Sequence, residues 1–354
     1  MLEMEFIINY CKRFYIKAFH WEYWPMWAVY FPVSLYYIFL AVKARSFFFF
    51  SASNPKIENG GMFFESKWLI YQQLPTEYFP KTIFVHPTDS MDSILKHLEL
   101  ANMQYPLIAK PDRGERGWLV KKIHSEEELR RYKDSLRITF LIQSYVNAPC
   151  EFSVFYYRHP SMNQGTITSI TFKKLLSITG NGTNTIKELI RKNDRAFLQY
   201  PHLKKESAIN FDVVLERGKK LELVPYGNHA LGAEFINYNH LISSNLVQVF
   251  DDISKRIDGF CYGRYDIRCT SIEDMLAGKN ISILELNGAG AEPAHIYDPS
   301  FSFWKAQTVL AAHYKMMYDA AVEHHRRGIA FMTYPTFRNI VQLEKKYKKN
   351  QLCF

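Results

Sequence analysis

Cysteine is scarce and badly placed for cross-linking: Cys11, Cys150, Cys261, Cys269 and Cys353 are scattered, odd in number and include no C-x-x-C pair. That excludes a disulfide framework and a zinc knuckle, and makes a reducing, cytosolic milieu the expected one. No secretory leader is expected either. Lys12, Arg13 and Lys17 precede an apolar stretch, but no small-residue cleavage site follows it. Also missing are the G-x-x-x-x-G-K-[ST] loop, the G-x-G-x-x-G turn, and any helix-turn-helix, zinc-finger or RNP-like signature. Nucleic acid is therefore not an expected partner, although the net charge is +9. An anionic membrane and a polyanionic small molecule such as a nucleotide remain as partners for that charge.

What is present in excess is aromatic: 27 Phe, 23 Tyr and 6 Trp in 354 residues, a length that suggests two or three lobes. The surplus gathers near the N-terminus. Residues 23–42 read YWPMWAVYFPVSLYYIFLAV without a charge, and FFFF follows at 47–50. The uncharged run has the length of a bilayer span. Pro25 and Pro32 interrupt a helix there, Trp and Tyr are residues of the membrane interface, and basic residues flank both ends, so orientation is undetermined. A segment lying on or dipping into the membrane is the expectation; a single span and a buried or homodimer-interface hairpin are the alternatives. At the other end, HHRR at 324–327 and EKKYKK at 344–349, with Phe337, Ile340, Val341 and Tyr347 at helical spacing, read as a basic amphipathic helix for a membrane surface or a solvated terminal helix.

After a turn-rich boundary at 51–62 the composition becomes ordinary. Residues 65–73 are expected to be helical, 82–85 a strand, and 90–102 a helix capped by polar residues at 88–90. The stretch YPLIAKPDRGERGWLVKKI then reads as a strand ending at Lys110 and Pro111, a loop with Gly114 and Gly117, and a returning strand over 118–123. Such a hairpin can lay backbone N–H groups and a cationic side chain over a polyphosphate. An apolar strand over 139–146 can present backbone groups of Gln143, Ser144, Tyr145 and Val146 to an adenine edge, and Glu151 either reaches ribose hydroxyls or faces solvent on the next strand. In GFCYGRYDIRC, Arg264 and Asp266 alternate with Tyr265 and Ile267 and so share one sheet face; Glu285 and Asn287 do the same in ISILELNG. Asp266, Glu285 and Asn287 on adjoining strands make an all-oxygen ligand set suited to Mg²⁺.

The order lysine, glycine loop, hinge, Arg-x-Asp, Glu-x-Asn resembles that of the ATP-grasp superfamily, in particular its D-alanine–D-alanine ligase-like and glutathione-synthetase-like branches, over residues 65–320. The segment GNGTNTIKELI is similar to the family's glycine turn followed by a helix, with Thr185 near the cap. The resemblance implies an α+β fold of two lobes clasping ATP. It implies that Lys67 and Lys110 hold ATP phosphates, that Gly114 and Gly117 close over them, and that Lys173 or Lys174 reaches the γ-phosphate. Asp266, Glu285 and Asn287 then hold Mg²⁺ or Mn²⁺, and Arg264 steadies an oxyanion.

The activity implied is an ADP-forming carboxylate–amine ligation through an acyl phosphate; the aromatic segment and basic tail, not the resemblance, point to the cytoplasmic face of a membrane and to a small-molecule or lipid-linked carboxylate or amine substrate, such as a lipid or cell-envelope precursor. The alternatives are a phosphotransferase acting on a hydroxyl and a non-catalytic ATP-binding scaffold. The domain reading that follows places the aromatic segment at 1–60, a truncated linker at 61–105 and the ATP-grasp domain at 106–330. Within that domain 106–145 is the small lobe and 146–330 the large lobe, and a basic tail follows at 331–354. The family's usual first domain has no room here, so substrate binding falls to the stretches 224–235 and 288–298, where His229, Gly232 and His295 are the candidates.

Overall fold

The computed structural model describes residues 2–115, 117–206, 209–225 and 227–352. Arg116 of the glycine loop, Tyr226 of the expected substrate stretch, and Cys353 lie outside the described residues. The chain forms two principal antiparallel sheets, a mixed α and β arrangement without parallel pairing among the described residues.

The smaller sheet contains β1 (Thr82–Val85), β2 (Leu107–Pro111), β3 (Lys121–Ile123) and β4 (Phe140–Ser144), in the order β1-β4-β2-β3. Two helices cover one of its faces. Met91–Leu100 begins where the Ser90 side chain accepts from the Ser93 N–H. Glu126–Asp134 is capped by Ser125 and carries three glutamates in its first turn and Arg131 and Lys133 in its last, in accord with the helix dipole. Ile94, Leu98 and Leu129 bury against Leu107, Ile123, Phe140 and Ile142. The returning strand starts three residues later than expected. Leu119 adopts φ 56° in a turn that the loop glycines extend, so pairing resumes only at Lys121.

The larger sheet contains β5 (Cys150–Tyr157), β6 (Thr166–Lys174), β9 (Glu234–Asn237), β10 (Tyr262–Cys269) and β11 (Ile281–Asn287), in the order β11-β10-β5-β6-β9. Between β6 and β9 lies a separate hairpin of β7 (Ser177–Thr179) and β8 (Lys220–Glu222). Beside it, helix Ile186–Lys192 starts at a full capping box of Thr185 and Glu188. Alternation sorts the large sheet. Phe152, Val154, Tyr265, Ile267 and Ile283 face helix Ser244–Lys255 and its Leu246, Phe250 and Ile253. Glu151, Ser153, Arg264, Asp266 and Arg268 occupy the other face. A bulge between Asp266 and Ile267 pairs Asp266 with Glu285 and Ile267 with Ile283, leaving Leu284 outside the ladder.

The N-terminal segment folds onto this body. Helices Leu2–Phe19 and Met26–Ala44 are joined by a short turn, and Pro32 sits in the first two turns of the second. The second helix buries Val29, Val33, Leu40 and Ala41. It packs along the long helix Phe303–Arg326, with Leu40 and Ala41 meeting Met317 and Ala321 in one cluster. Trp27, Phe31, Leu35, Ile38 and Val42 form a stripe on its opposite side that is exposed to solvent. After it, Asn54 clamps the chain to the large sheet: its Nδ2 donates to Gly60 O and Tyr262 O, and its Oδ1 accepts from the N–H groups of Cys261 and Tyr262. Gly61 passes Gly288 so closely that a Cβ there would come within 2.7 Å of the Gly288 Cα. The basic C-terminal segment is the helix Tyr334–Leu352, which returns to the small sheet. Gln351 accepts from the Arg137 N–H and donates to Ser135 O, and Tyr347 donates to Thr139 O.

Candidate functional site

A cleft of about 1990 Å³ lies between the two sheets and runs up to the N-terminal helices. Pockets for one drug-sized ligand occupy about 300–1,000 Å³, so this cleft has room for two.

On the small-sheet side, β2 delivers Lys110. Its buried ammonium donates to Tyr71 Oη at 2.7 Å, Gln143 Oε1 at 2.9 Å and the Leu284 carbonyl at 3.3 Å. The Tyr71 hydroxyl also donates to Leu284 O. The bulge in the large sheet leaves that carbonyl available, so Lys110 and Tyr71 tie one sheet to the other. Burial pushes the Lys110 ammonium down to about 8, and Glu285 offsets part of that effect. Lys67 opens the short helix Lys67–Tyr71 and donates to Gly114 O at 2.5 Å, touching the glycine loop directly. Asp112 makes that placement possible by accepting from Ser66 Oγ and the Trp68 N–H.

On the large-sheet side a charged network is fully assembled. Both Asp266 oxygens accept from Arg264, at 3.0 and 3.1 Å. Ser153 Oγ donates to Asp266 at 2.5 Å, and Lys173 lies 3.3 Å away. Burial alone would raise the Asp266 carboxyl, but Arg264 and Lys173 outweigh it and hold the carboxyl far below the usual range. Glu151 pairs with Arg268 at 3.0 Å and with Lys173 at 3.5 Å. Arg268 reaches on to the Val146 carbonyl at 3.0 Å, and its guanidinium lies over the Tyr145 ring.

These contacts bring together most of the residues singled out in the sequence and separate a few. Lys67, Lys110, Gly114, Gly117, Gln143, Tyr145, Val146, Glu151, Arg264, Asp266, Glu285, Asn287 and His229 all border the cleft. Three placements differ from expectation. Of the adjacent lysines, Lys173 faces the cleft while Lys174 is exposed on the other side and pairs with Glu234, because neighbours on a strand point to opposite faces. His295 is buried away from the cleft, shares a hydrogen bond with Ser169 Oγ and packs edge-on to Phe301; burial pushes it down to about 4. Gly232 ends a short 3-10 turn at φ 95° against Leu176 and Gln199, a backbone role beside the cleft, which Leu231 and Gln199 line but Gly232 does not.

The three residues of the expected metal set are differently engaged. Asp266 has its oxygens engaged by cations and a hydroxyl and serves as their counter-ion. Glu285 has only a loose 3.8 Å pairing with Lys67. Asn287 donates weakly to Asp266 through Nδ2, and its Oδ1 is free among the described residues. Those residues contain no cluster of three or more histidine, cysteine, aspartate or glutamate side chains arranged for a metal. Two oxygen donors beside a bank of lysines nevertheless fit a hard cation such as Mg²⁺, which takes few protein ligands and completes its shell with phosphate and water.

Neither a protein-family model nor a curated protein matches this sequence. Among solved structures it is similar to a bifunctional glutathione synthetase from Pasteurella multocida (13% identity, TM-score 0.40, covering 71% of this chain and 35% of the other). It is also similar to the VanG D-Ala:D-Ser ligase from Enterococcus faecalis (14%, 0.41, 72% and 62%) and a D-alanine–D-alanine ligase from Bacillus anthracis (15%, 0.40, 74% and 67%). The chain thus spans between about a third and two thirds of the length of the solved structures it matches. Similarity at this level says neither what this chain is nor what it acts on.

Several residues of the site escaped the sequence reading. Arg268 was within reach, since RYDIR places it on the same face as Arg264 and Asp266. Asp112 and Tyr71 carry no such signal. Nor do Tyr30, Glu292 and Tyr297, which meet on the cleft wall: Glu292 Oε2 accepts from both tyrosine hydroxyls.

Proposed function

We propose that this protein is an ATP- and Mg²⁺-dependent ligase that activates a carboxylate as an acyl phosphate, releases ADP, and passes the acyl group to an amine. The observation that carries this reading is the convergence of Lys67, Lys110, Lys173, Arg264 and Arg268 from two sheets on one cleft that also presents Glu285 and Asn287. Lys110, held by neutral acceptors, and Lys67, with only a loose pairing to Glu285, suit a polyphosphate with a hard metal, while Glu151 and Asp266 balance the other three cations; the size of the cleft suits a second substrate beside it. The motif order along the chain, which resembles that of ATP-grasp enzymes, supports the same reading.

In the proposed reaction a carboxylate oxygen of the substrate attacks the γ-phosphorus of ATP while the bond to the bridging oxygen breaks, and ADP leaves. The acceptor's ammonium gives up one proton to solvent, the freed lone pair attacks the acyl carbon, phosphate departs, and nitrogen loses a second proton. Lys67, Lys110 and Lys173 neutralise the phosphates, and Arg264 faces the oxyanion of the tetrahedral intermediate. The loop of Gly114 and Gly117, held by Lys67, excludes water from the acyl phosphate. Glu285 and Asn287 would hold Mg²⁺, which supplies charge neutralisation on the phosphates when bound.

We further place the protein on an anionic membrane surface. Helix Met26–Ala44 is long and apolar enough to span, with a mean hydropathy of 1.4. Its inner face is committed to the protein body, however, and its outer stripe of Trp27, Phe31 and Leu35 is exposed between basic ends, which favours lying on the bilayer over crossing it.

The test is incubation with Mg-ATP, hydroxylamine and fractions of a cell extract containing organic acids and lipids. The expected result is ADP release with a hydroxamate. A phosphorylated hydroxyl product without hydroxamate would instead establish phosphotransfer, and no ADP from any fraction would remove the enzymatic reading.

A further inference from the structure

Beside Arg264 on the cleft wall, three residues from two distant parts of the chain form a compact group. Tyr30 arrives on helix Met26–Ala44, and Glu292 and Tyr297 lie on the chain that leaves β11. Both hydroxyls donate to the same oxygen, Glu292 Oε2, with Tyr297 at 3.0 Å. Burial, and then the Glu292 charge, holds both phenols well above their ordinary range, so they remain donors. Glu292 Oε1 has no hydrogen-bond partner among the described residues, and the half-buried side chain borders the cleft together with Tyr30, Tyr297 and Tyr314.

The contrast with Asp266 and Glu151 is chemical, whereas Glu65, which also borders the cleft, has no ion pair and a buried Oε2 without a partner among the described residues. Asp266 and Glu151 are each neutralised by two basic side chains. Glu292 has no ion pair within 4 Å among the described residues, although the nearby Arg264 guanidinium interacts with it electrostatically; two phenols orient it and one oxygen is left open. It is also next to the reaction centre, because Arg264, which grips Asp266, donates from Nη1 to the Glu292 carbonyl at 3.2 Å. A carboxylate with a free oxygen, walled by tyrosine rings, suits a small cation with N–H donors.

We propose that Glu292, oriented by Tyr30 and Tyr297, binds the primary ammonium group of the acceptor. The assignment rests on the ligase reading for its meaning, but its binding chemistry can be measured without turnover. It also gives the apolar N-terminal helix a part in the site: one side supplies Tyr30 and another exposes Trp27 and Phe31. The ammonium can accordingly come from a free amine or from a lipid headgroup at the membrane face.

The experiment uses the full chain. Calorimetry measures ethanolamine binding, and flotation measures binding to vesicles of phosphatidylethanolamine, with phosphatidylcholine, whose quaternary nitrogen has no N–H, as the comparison. Loss of a charged hydrogen bond predicts at least about tenfold weaker binding of the preferred probe in Glu292→Gln, and a smaller weakening in Tyr30→Phe. Mg-ATP affinity in the same samples reports whether the variants are folded and keeps a failure of the nucleotide reading separate. Ethanolamine binding lost in Glu292→Gln supports a free amine. Preference for phosphatidylethanolamine vesicles lost in the same variant supports a lipid headgroup. Binding of neither probe by the wild type, or equal binding by wild type and Glu292→Gln, overturns the assignment.

Discussion

Replacing Lys110 by methionine probes the point where burial and charge oppose each other in this site. The ammonium is surrounded by neutral acceptors, Tyr71 Oη, Gln143 Oε1 and Leu284 O. A fall from the ordinary 10.5 to about 8 corresponds to about 3 kcal/mol for keeping the charge there at neutral pH. Between those two values the folded protein binds fewer protons than the unfolded chain, so this group makes stability rise with pH through the window, and its full cost is felt below about 8. Methionine removes that cost but leaves Gln143 Oε1 without its donor, a penalty of about 1–3 kcal/mol. The two effects nearly cancel, so denaturant unfolding at pH 7 should find Lys110→Met within about 2 kcal/mol of wild type, without the rise at alkaline pH. ATP reverses the balance by bringing phosphates to the ammonium. A charge-assisted hydrogen bond of about 1.5–3 kcal/mol translates to roughly 10–100-fold weaker Mg-ATP binding in the variant. In wild type, affinity should fall as pH rises past about 8, where Lys110 loses its proton, and in Lys110→Met this dependence should be absent. Calorimetric titration across that range measures both. Equal Mg-ATP affinity in the two proteins would refute the reasoning.

Asp266→Asn should lower stability by about 3–5 kcal/mol, read from the melting temperature, because Arg264 then lacks its buried counter-charge and Lys173 is left with Glu151 alone. The wild-type carboxyl is held far below its ordinary value, so its contribution is present at neutral pH and lost as acid protonates it; the variant's acid-unfolding curve should be correspondingly shallower. Phe31→Glu combined with Leu35→Glu changes only exposed positions and should abolish co-sedimentation with anionic vesicles while Mg-ATP affinity stays within twofold; undiminished sedimentation would rule out this face as the membrane contact.

Local pattern carried far in this chain. Ser90, Ser125 and Thr185 mark the starts of their helices because a hydroxyl that satisfies an orphan N–H is a local device. Strand alternation put Arg264 and Asp266 on one face for an equally local reason. The same rule separates Lys173 from Lys174, but it cannot tell which of the two faces the cleft until β6 has a partner on each side. The glycine loop's neighbour Lys67 was reached only through resemblance, and its contact with Gly114 spans 47 positions.

The few cysteines, the missing nucleic-acid and leader signatures, the clustered aromatics and the order of charged motifs are properties of the linear chain, so they already delimited the chemistry. Charge pairing is different. Whether a carboxylate is free to bind depends on which cations fold beside it, and only tertiary structure made Asp266 a counter-ion and left Glu292 Oε1 without a partner. The aromatic segment shows the same division. Its composition announced an apolar surface needing cover, but composition has no inside and outside. Packing against helix Phe303–Arg326 decided that one side of it would be core and another exposed, and that Tyr30 would reach Glu292 from 262 positions away.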